Sequence, residues 1–320
     1  MSRFRLDGTP RLGGERRAAI PARRRRPLAE RAEWLGVLFL APAALYVLLL
    51  VGVPLGLALV LSMSDATAGS LSFSFVGLDN FAAIVHDRQF RVALVNTIEF
   101  TVLSQLIVLI LATALAHVLD AAFRGKRIVR FLILLPWAAP ISLAVIGWSW
   151  IYDSTFSVLN WTLRALGLMD GWLYWFADPL LAKTAIVTVH VWRMFPFATV
   201  VFLAGLSAIP KDIKEAAIVD GAGFWRRLFS VLLPLLMPVV TVAVLFGVVF
   251  AATDLGVVYL LTRGGPYNST HVLASLAFQQ GILGADLGRG AAIALFLLPL
   301  LAVVAVVMLR YARRVEVGGE

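Results

Sequence analysis

The chain has no cysteine, which excludes disulfides, thiolate metal sites and a thiol nucleophile. Its four histidines, His86, His117, His190 and His271, are scattered with none of the close spacing that a metal site needs, so no metal is expected on this chain. Charge is scarce as well. Asp, Glu, Lys and Arg make up 15% of the 320 residues, against roughly 25% in a soluble domain. No G-x-x-x-x-G-K-[ST] phosphate loop is present, so ATP chemistry has no seat here. What is abundant is apolar sequence. At 60% apolar residues and a mean hydropathy of +0.88, a membrane protein is the class that fits.

Six apolar runs are long enough to cross a bilayer, which takes about 20 residues of helix. They cover 34–63, 92–119, 131–152, 184–206, 231–261 and 290–309. Lipid offers no partner to backbone N–H and C=O groups, so each run must be a helix or part of a closed barrel. Barrel strands alternate and are about 10 residues long, so continuous runs predict an all-α membrane bundle of six helices. No internal repeat stands out.

Ten arginines precede the first run, Arg23 to Arg26 among them. The run that follows is too long for a cleaved signal peptide. With the N-terminus inside, 21 of the 28 Lys and Arg fall on inner segments, which predicts an N-in, C-in topology. The division is then a basic tail over 1–33, a six-helix transmembrane domain over 34–310 and a short inner tail over 311–320. The arginines lack interleaved aromatics, so nucleic acid is not an expected partner. They read as a topology signal or a site for anionic lipid.

The outer connections are longer than the minimum. Trp172 and Trp175 are expected as interfacial anchors, with sugar stacking as the other reading. Residues 160–168 have the makings of a short helix. Gly264, Gly265 and Pro266 stop the fifth span abruptly, because Gly admits positive φ and Pro cannot continue a helix. The turn would present Tyr267 to an outer partner.

The segment 211–234 is a polar island between two apolar runs. Pro210 leads in, Asp212 sits where the helix dipole favours an acid, and Glu215-Ala-Ala has high helix propensity. Gly221 then breaks the helix, and a second one can begin at Phe224 and run into the fifth span. Glu215, Ala216, Ala217, Gly221, Leu233 and Pro234 fit the pattern E-A-A-x3-G-x9-I-x-L-P, departing only in Val231 for Ile. That pattern resembles the coupling loop of ABC importer permeases. Phe195-Pro-Phe, Leu203-Ala-Gly-Leu, Ile209-Pro, Asp220-Gly-Ala and Leu261-Thr-Arg-Gly-Gly-Pro extend the likeness. Together they resemble the carbohydrate-uptake subgroup found in maltose, glycerol-3-phosphate and trehalose importers.

The resemblance implies a type I ABC importer permease in the bacterial cytoplasmic membrane. It also implies a second homologous permease, two ATPase subunits carrying ATP and Mg, and an extracytoplasmic solute-binding protein or lipoprotein. Coupling to the ATPase would fall to Glu215, Ala216, Ala217, Asp220, Gly221 and Pro234. Gly264, Gly265, Pro266 and Tyr267 would meet the binding protein. No cofactor is expected on the chain, and it is not expected to be an enzyme by itself. Alignment of the motifs brings sugar contact to Phe197, Phe250, Ala251 and Asp254, with Arg193 nearby. Ala251 and Asp254 stand where the maltose pattern has amides.

Ionisable groups inside a bilayer are expensive and line a cavity or pair with each other. Glu99 and His117 read as groups bonded within the bundle. Arg193 and Asp254 either contact substrate or form an interhelical ion pair, and Phe197 and Phe250 either stack on a sugar or pack. The substrate expectation is a neutral disaccharide such as trehalose or maltose, with glycerol-3-phosphate or another small polar solute as the alternative. Outside this class stand a secondary transporter, which would commonly show inverted repeats, and a membrane scaffold.

Overall fold

A computed structural model describes residues 32–70, 73–121 and 123–317. The arginine-rich tail and the last three residues lie outside the described residues, so the expectations placed on them stay where the sequence left them. The chain divides into two units, residues 1–54 and 55–320.

In the first unit, α1 (Ala32–Val47) continues through a π-helical turn, Leu48–Gly52. That wider turn lies just before Pro54, whose ring supplies no N–H to the helix ladder. Helix α2 (Val53–Ser62) follows, most of it in the second unit.

The second unit is helical among its described residues, apart from two isolated bridges, Ser64 with Phe75 and Thr67 with Asp286. Its elements are α3 (Asp79–His86), α4 (Arg88–Asp120), α5 (Lys126–Ala138), α6 (Ile141–Ile151), α7 (Val158–Ala165), α8 (Pro179–Ala208) and α9 (Lys211–Val219). They are followed by α10 (Phe224–Arg227), α11 (Leu233–Ala252), α12 (Leu255–Thr262), α13 (Leu273–Phe278), α14 (Leu287–Leu295) and α15 (Leu297–Val317). Five helical stretches are long and apolar enough to span a membrane: Gly36–Ser62, Arg88–Asp120, Pro179–Ala208, Phe224–Thr262 and Leu287–Tyr311. The expected third span, 131–152, is not one rod. It is the pair α5 and α6, bent by 93°. Pro140 explains the break, since a residue before proline is pushed out of the helical region, and Ala139 is extended at ψ 139°. Six spans are present when the bent pair counts as one.

Two cores hold the unit together. The larger joins α4, α8 and α11 through Phe100, Ala112, Ala116, Ala185, Ala198, Phe202, Leu236 and Ala243. Small residues let membrane helices approach closely, where packing rather than water drives association. Gly247 shows how closely: a methyl group there would meet the Gln105 amide of α4. The smaller core packs Ile84, Phe90, Leu273, Leu276 and Ile293 between α3, α4, α13 and α14.

Candidate functional site

The polar island folds as two helices about a glycine turn. Helix α9 ends at Val219, Asp220 follows, and Gly221 takes φ 70°. The Ala222 N–H donates to the Ala217 carbonyl at 3.1 Å, and the Gly221 N–H to that of Ile218 at 3.0 Å. This is the Schellman arrangement, which satisfies carbonyls left over at a helix end and favours Gly at the left-handed position. Chain growth resumes in α10 and passes through a π-helical turn, Leu228–Leu232, into α11. The wider turn again precedes a proline, Pro234, so Pro234 shapes the join between loop and span.

Glu215, Ala216, Asp220 and Gly221 are exposed, and Ala217 is half-buried. Glu215 has no hydrogen bond or ion pair among the described residues. Beside it the loop leaves apolar groups open: Val219 is 86% exposed and Trp225 68%. One ion pair ties the loop to the bundle, Lys214 Nζ to Asp120 Oδ2 at 2.9 Å, at the end of α4. There Lys126 and Arg130 also donate to the Asp120 and Leu119 carbonyls. His117 bonds locally to the Thr113 carbonyl and meets Phe224 edge-on at 6.1 Å.

Within the spans, the Arg193 to Asp254 ion pair, one of the two alternatives, does not form. Asp254 Oδ2 lies 2.6 Å from His190 Nδ1, both side chains being buried, while Oδ1 accepts from the Val257 N–H and so caps α12. Ala251 is 0% exposed. Neither Ala251 nor Asp254 is open to a substrate in this conformation, because one fills a helix crossing and the other is consumed by a cap and a histidine. Arg193 is half-buried, and its Nε is buried without a partner. Glu99 pairs with Lys183 at 3.2 Å, on a partly open surface rather than inside the bundle.

Phe197 and Phe250 meet edge-to-face, their centroids 6.5 Å apart at 85°. A third ring joins them that the sequence reading passed over. Trp137 stacks on Phe197 at 5.4 Å and 22°, brought there by the break after α5. An aromatic residue just before Ala-Ala-Pro inside an apolar run was the available signal. Phe246 extends the row, stacked on Phe250 at 6.4 Å.

The connection after α12 is built from hydrogen bonds. Arg263 and Gly264 take left-handed φ values, Thr270 donates to the Gly264 and Gly265 carbonyls, and Ser269 Oγ donates to Pro266. From α4, the Asn96 amide donates to the Ser269 carbonyl at 2.7 Å and to that of His271 at 2.9 Å. Tyr267 stands out at 93% exposed. Burial lowers the His271 pKa from its ordinary 6.5 to about 4. The residues expected to meet a sugar or the bilayer surface fare unequally. Trp175 is buried and donates to Asn160 of α7 at 3.0 Å, so it packs against that helix rather than serving as an interfacial anchor. Trp172 donates to the Ser154 carbonyl and lies under the Arg164 guanidinium at 5.8 Å.

A glycine-capped polar turn joined to a multi-span bundle is an arrangement suited to a membrane subunit of a transport system. Residues 109–317 match the family described as binding-protein-dependent transport system inner membrane component, and the chain belongs to that family. It is therefore a multi-pass protein of the cytoplasmic membrane. Over 286 residues it is 33% identical to the trehalose/maltose transport system permease protein of Thermococcus litoralis, covering 89% of this chain and 96% of that one. To the sulfoquinovosyl glycerol transport system permease protein of Agrobacterium fabrum it is 35% identical over 280 residues, covering 87% and 90%. A permease chain from a bacterial ABC transporter that imports the acidic polysaccharide alginate shares the fold, with a TM-score of 0.75 at 22% identity over 88% of this chain and 96% of that one.

Proposed function

We propose that this chain is one of two membrane subunits of an ATP-driven carbohydrate importer, forming half of the translocation pathway. The observation that carries the reading is the 211–234 turn. It presents Glu215 and the open Val219 on a helix fixed by a glycine cap, with Trp225 open on the short helix that follows, a surface suited to a groove on another protein. Membership of the family supports the rest of the reading. Two ATPase subunits hold ATP and Mg and hydrolyse the nucleotide, so catalysis lies off this chain. A second permease completes the cavity. The turn at Gly264 to Tyr267 faces an extracytoplasmic binding protein, and both termini are cytoplasmic. ATP binding closes the ATPase pair, the 211–234 turns ride with it, and the two permeases open outward; hydrolysis resets them.

The substrate is a sugar bearing an apolar ring face, which Trp137, Phe197 and Phe250 can stack against. Relatives are named for trehalose or maltose in one case and for sulfoquinovosyl glycerol in the other; a neutral disaccharide suits the shelf, and glycerol-3-phosphate, which has no ring, is the alternative that would bypass it. Secondary transport and a scaffold role leave the Glu215 turn without a purpose.

The test is ATPase activity of the chain co-purified with its permease and ATPase partners in lipid nanodiscs, with loaded binding protein across a sugar panel. Stimulation by a sugar that disappears in Glu215→Lys is the expected outcome. An assembly that no carbohydrate stimulates would remove the sugar, and absence of any co-purifying ATPase would remove the importer.

A further inference from the structure

On helix α8, Arg193, Phe197 and Val200 follow one another at helical spacing on a face that the chain's own core leaves open: Val200 is exposed and Arg193 and Phe197 are half-open, while Ala185, Val189, His190, Met194 and Ala198 are buried. Arg193 is the fifteenth of the thirty residues in Pro179–Ala208. It therefore sits near the middle of the membrane, about 22 Å from either end of the helix.

Charges at such depth are normally matched, and the acidic groups on the spans and at their ends that form ion pairs form them with other residues. Asp254 pairs with His190, Glu99 with Lys183, Asp120 with Lys214 and Asp87 with Arg289. Arg193 has no acidic partner among the described residues, and its Nε is buried without a hydrogen bond. Asp254, one turn away along α8 through His190, is turned into its own cap. A neutral sugar would leave the guanidinium unmatched. One turn further along the same face, Phe197 stacks with Trp137 and meets Phe250 edge-on.

We propose that Arg193 selects a carbohydrate carrying an anionic substituent, a sulfonate, phosphate or carboxylate, whose sugar ring lies on the shelf of Trp137, Phe197 and Phe250. This rests on the reading of the chain as a sugar importer. The planar guanidinium offers a fork of donors that fits such an oxyanion two bonds at a time. The anion supplies the charge that the chain itself withholds, and the aromatic shelf takes the apolar ring face. Both oxygens of Asp254 are already engaged, by His190 and by the α12 cap, so neither is turned towards Arg193. Arg193 is thus a specificity-determining residue, and the substrate class is an acidic sugar rather than trehalose or maltose.

The test is ATP-driven uptake by proteoliposomes holding the whole assembly with its binding protein. Sulfoquinovose, glucose 6-phosphate and glucuronate are compared with trehalose and maltose. A member of the anionic group is expected to be taken up. Arg193→Gln should raise the apparent KM for it about tenfold or more, as loss of a charge-assisted hydrogen bond does, and Arg193→Lys by less. Uptake confined to trehalose or maltose, or an unchanged KM in Arg193→Gln, overturns the proposal and leaves the importer standing. Loss of subunit co-purification in both variants also overturns it, since Arg193 would then be matched by an acid on a partner subunit. A wild-type assembly that takes up no carbohydrate overturns the importer and this selection together.

Discussion

The two connections flanking α11 and α12 are built on opposite plans. The 211–227 turn is closed by its own backbone and tied to the bundle by one ion pair, Lys214 with Asp120. Its apolar residues are left uncovered. The 263–272 turn is crossed by hydrogen bonds from Thr262, Thr270 and Ser269 and gripped by Asn96 of α4. Only Tyr267 is thrown fully outward. A surface held at one point can travel with whatever docks on it; a surface held at many points keeps its shape as a template. Helix α4 joins the two, because Asn96 and Asp120 lie on it about 36 Å apart.

Breaking the first turn should have the largest effect. In Gly221→Pro the ring fixes φ near −65° where 70° is required, and the bond to the Ile218 carbonyl is lost. ATP-driven uptake is expected to fall to background while the chain remains in the membrane fraction; normal uptake would show that the turn does not couple. The second turn should respond in stability instead. Gly264→Val forces a branched side chain into left-handed backbone and against the His271 ring, at a cost of about 3 kcal/mol, read as a lower thermal midpoint of the detergent-purified assembly.

Acid sharpens the contrast further. His271 is held neutral by burial, with a pKa of about 4 against 6.5 when unfolded. Protonation therefore favours the unfolded chain, and the stabilisation is complete above pH 6.5 and lost as pH falls towards 4. The thermal midpoint should drop through that window more steeply in the wild type than in His271→Gln; parallel curves would mean that the ring is not titrating there. The smallest effect belongs to the single tie of the first turn. Lys214→Asp combined with Asp120→Lys should restore most of what either change removes, about 0.5 kcal/mol for a pair as partly exposed as this one, measured as a double-mutant cycle on the thermal midpoint.

The sequence foretold the parts whose determinants are local. The 211–219 helix, its stop at Gly221 and the restart at Phe224 follow from propensity, a proline lead and a glycine within a dozen residues. The apolar runs announced the spans for the same reason. Partners distant in sequence were hidden. Nothing near Asp254 points to His190, 64 residues away, and nothing near Lys214 points to Asp120, 94 residues away. Pro140 was visible, yet the unbroken apolar run around it concealed a 93° bend, and with it the placement of Trp137. Trp175 was read as facing the membrane surface because its partner Asn160 belongs to a short helix whose burial depends on tertiary packing.

The central claim is that the uncovered face of the 211–227 turn docks an ATPase subunit, and the absence of native cysteine makes it directly measurable. Val219→Cys would be labelled with a maleimide in open membranes, with and without the co-expressed ATPase partner. Tyr267→Cys on the other turn serves as reference. Protection of position 219 by the ATPase, with position 267 labelled equally in both membranes, is the expected result. Equal labelling of position 219 in both would contradict it.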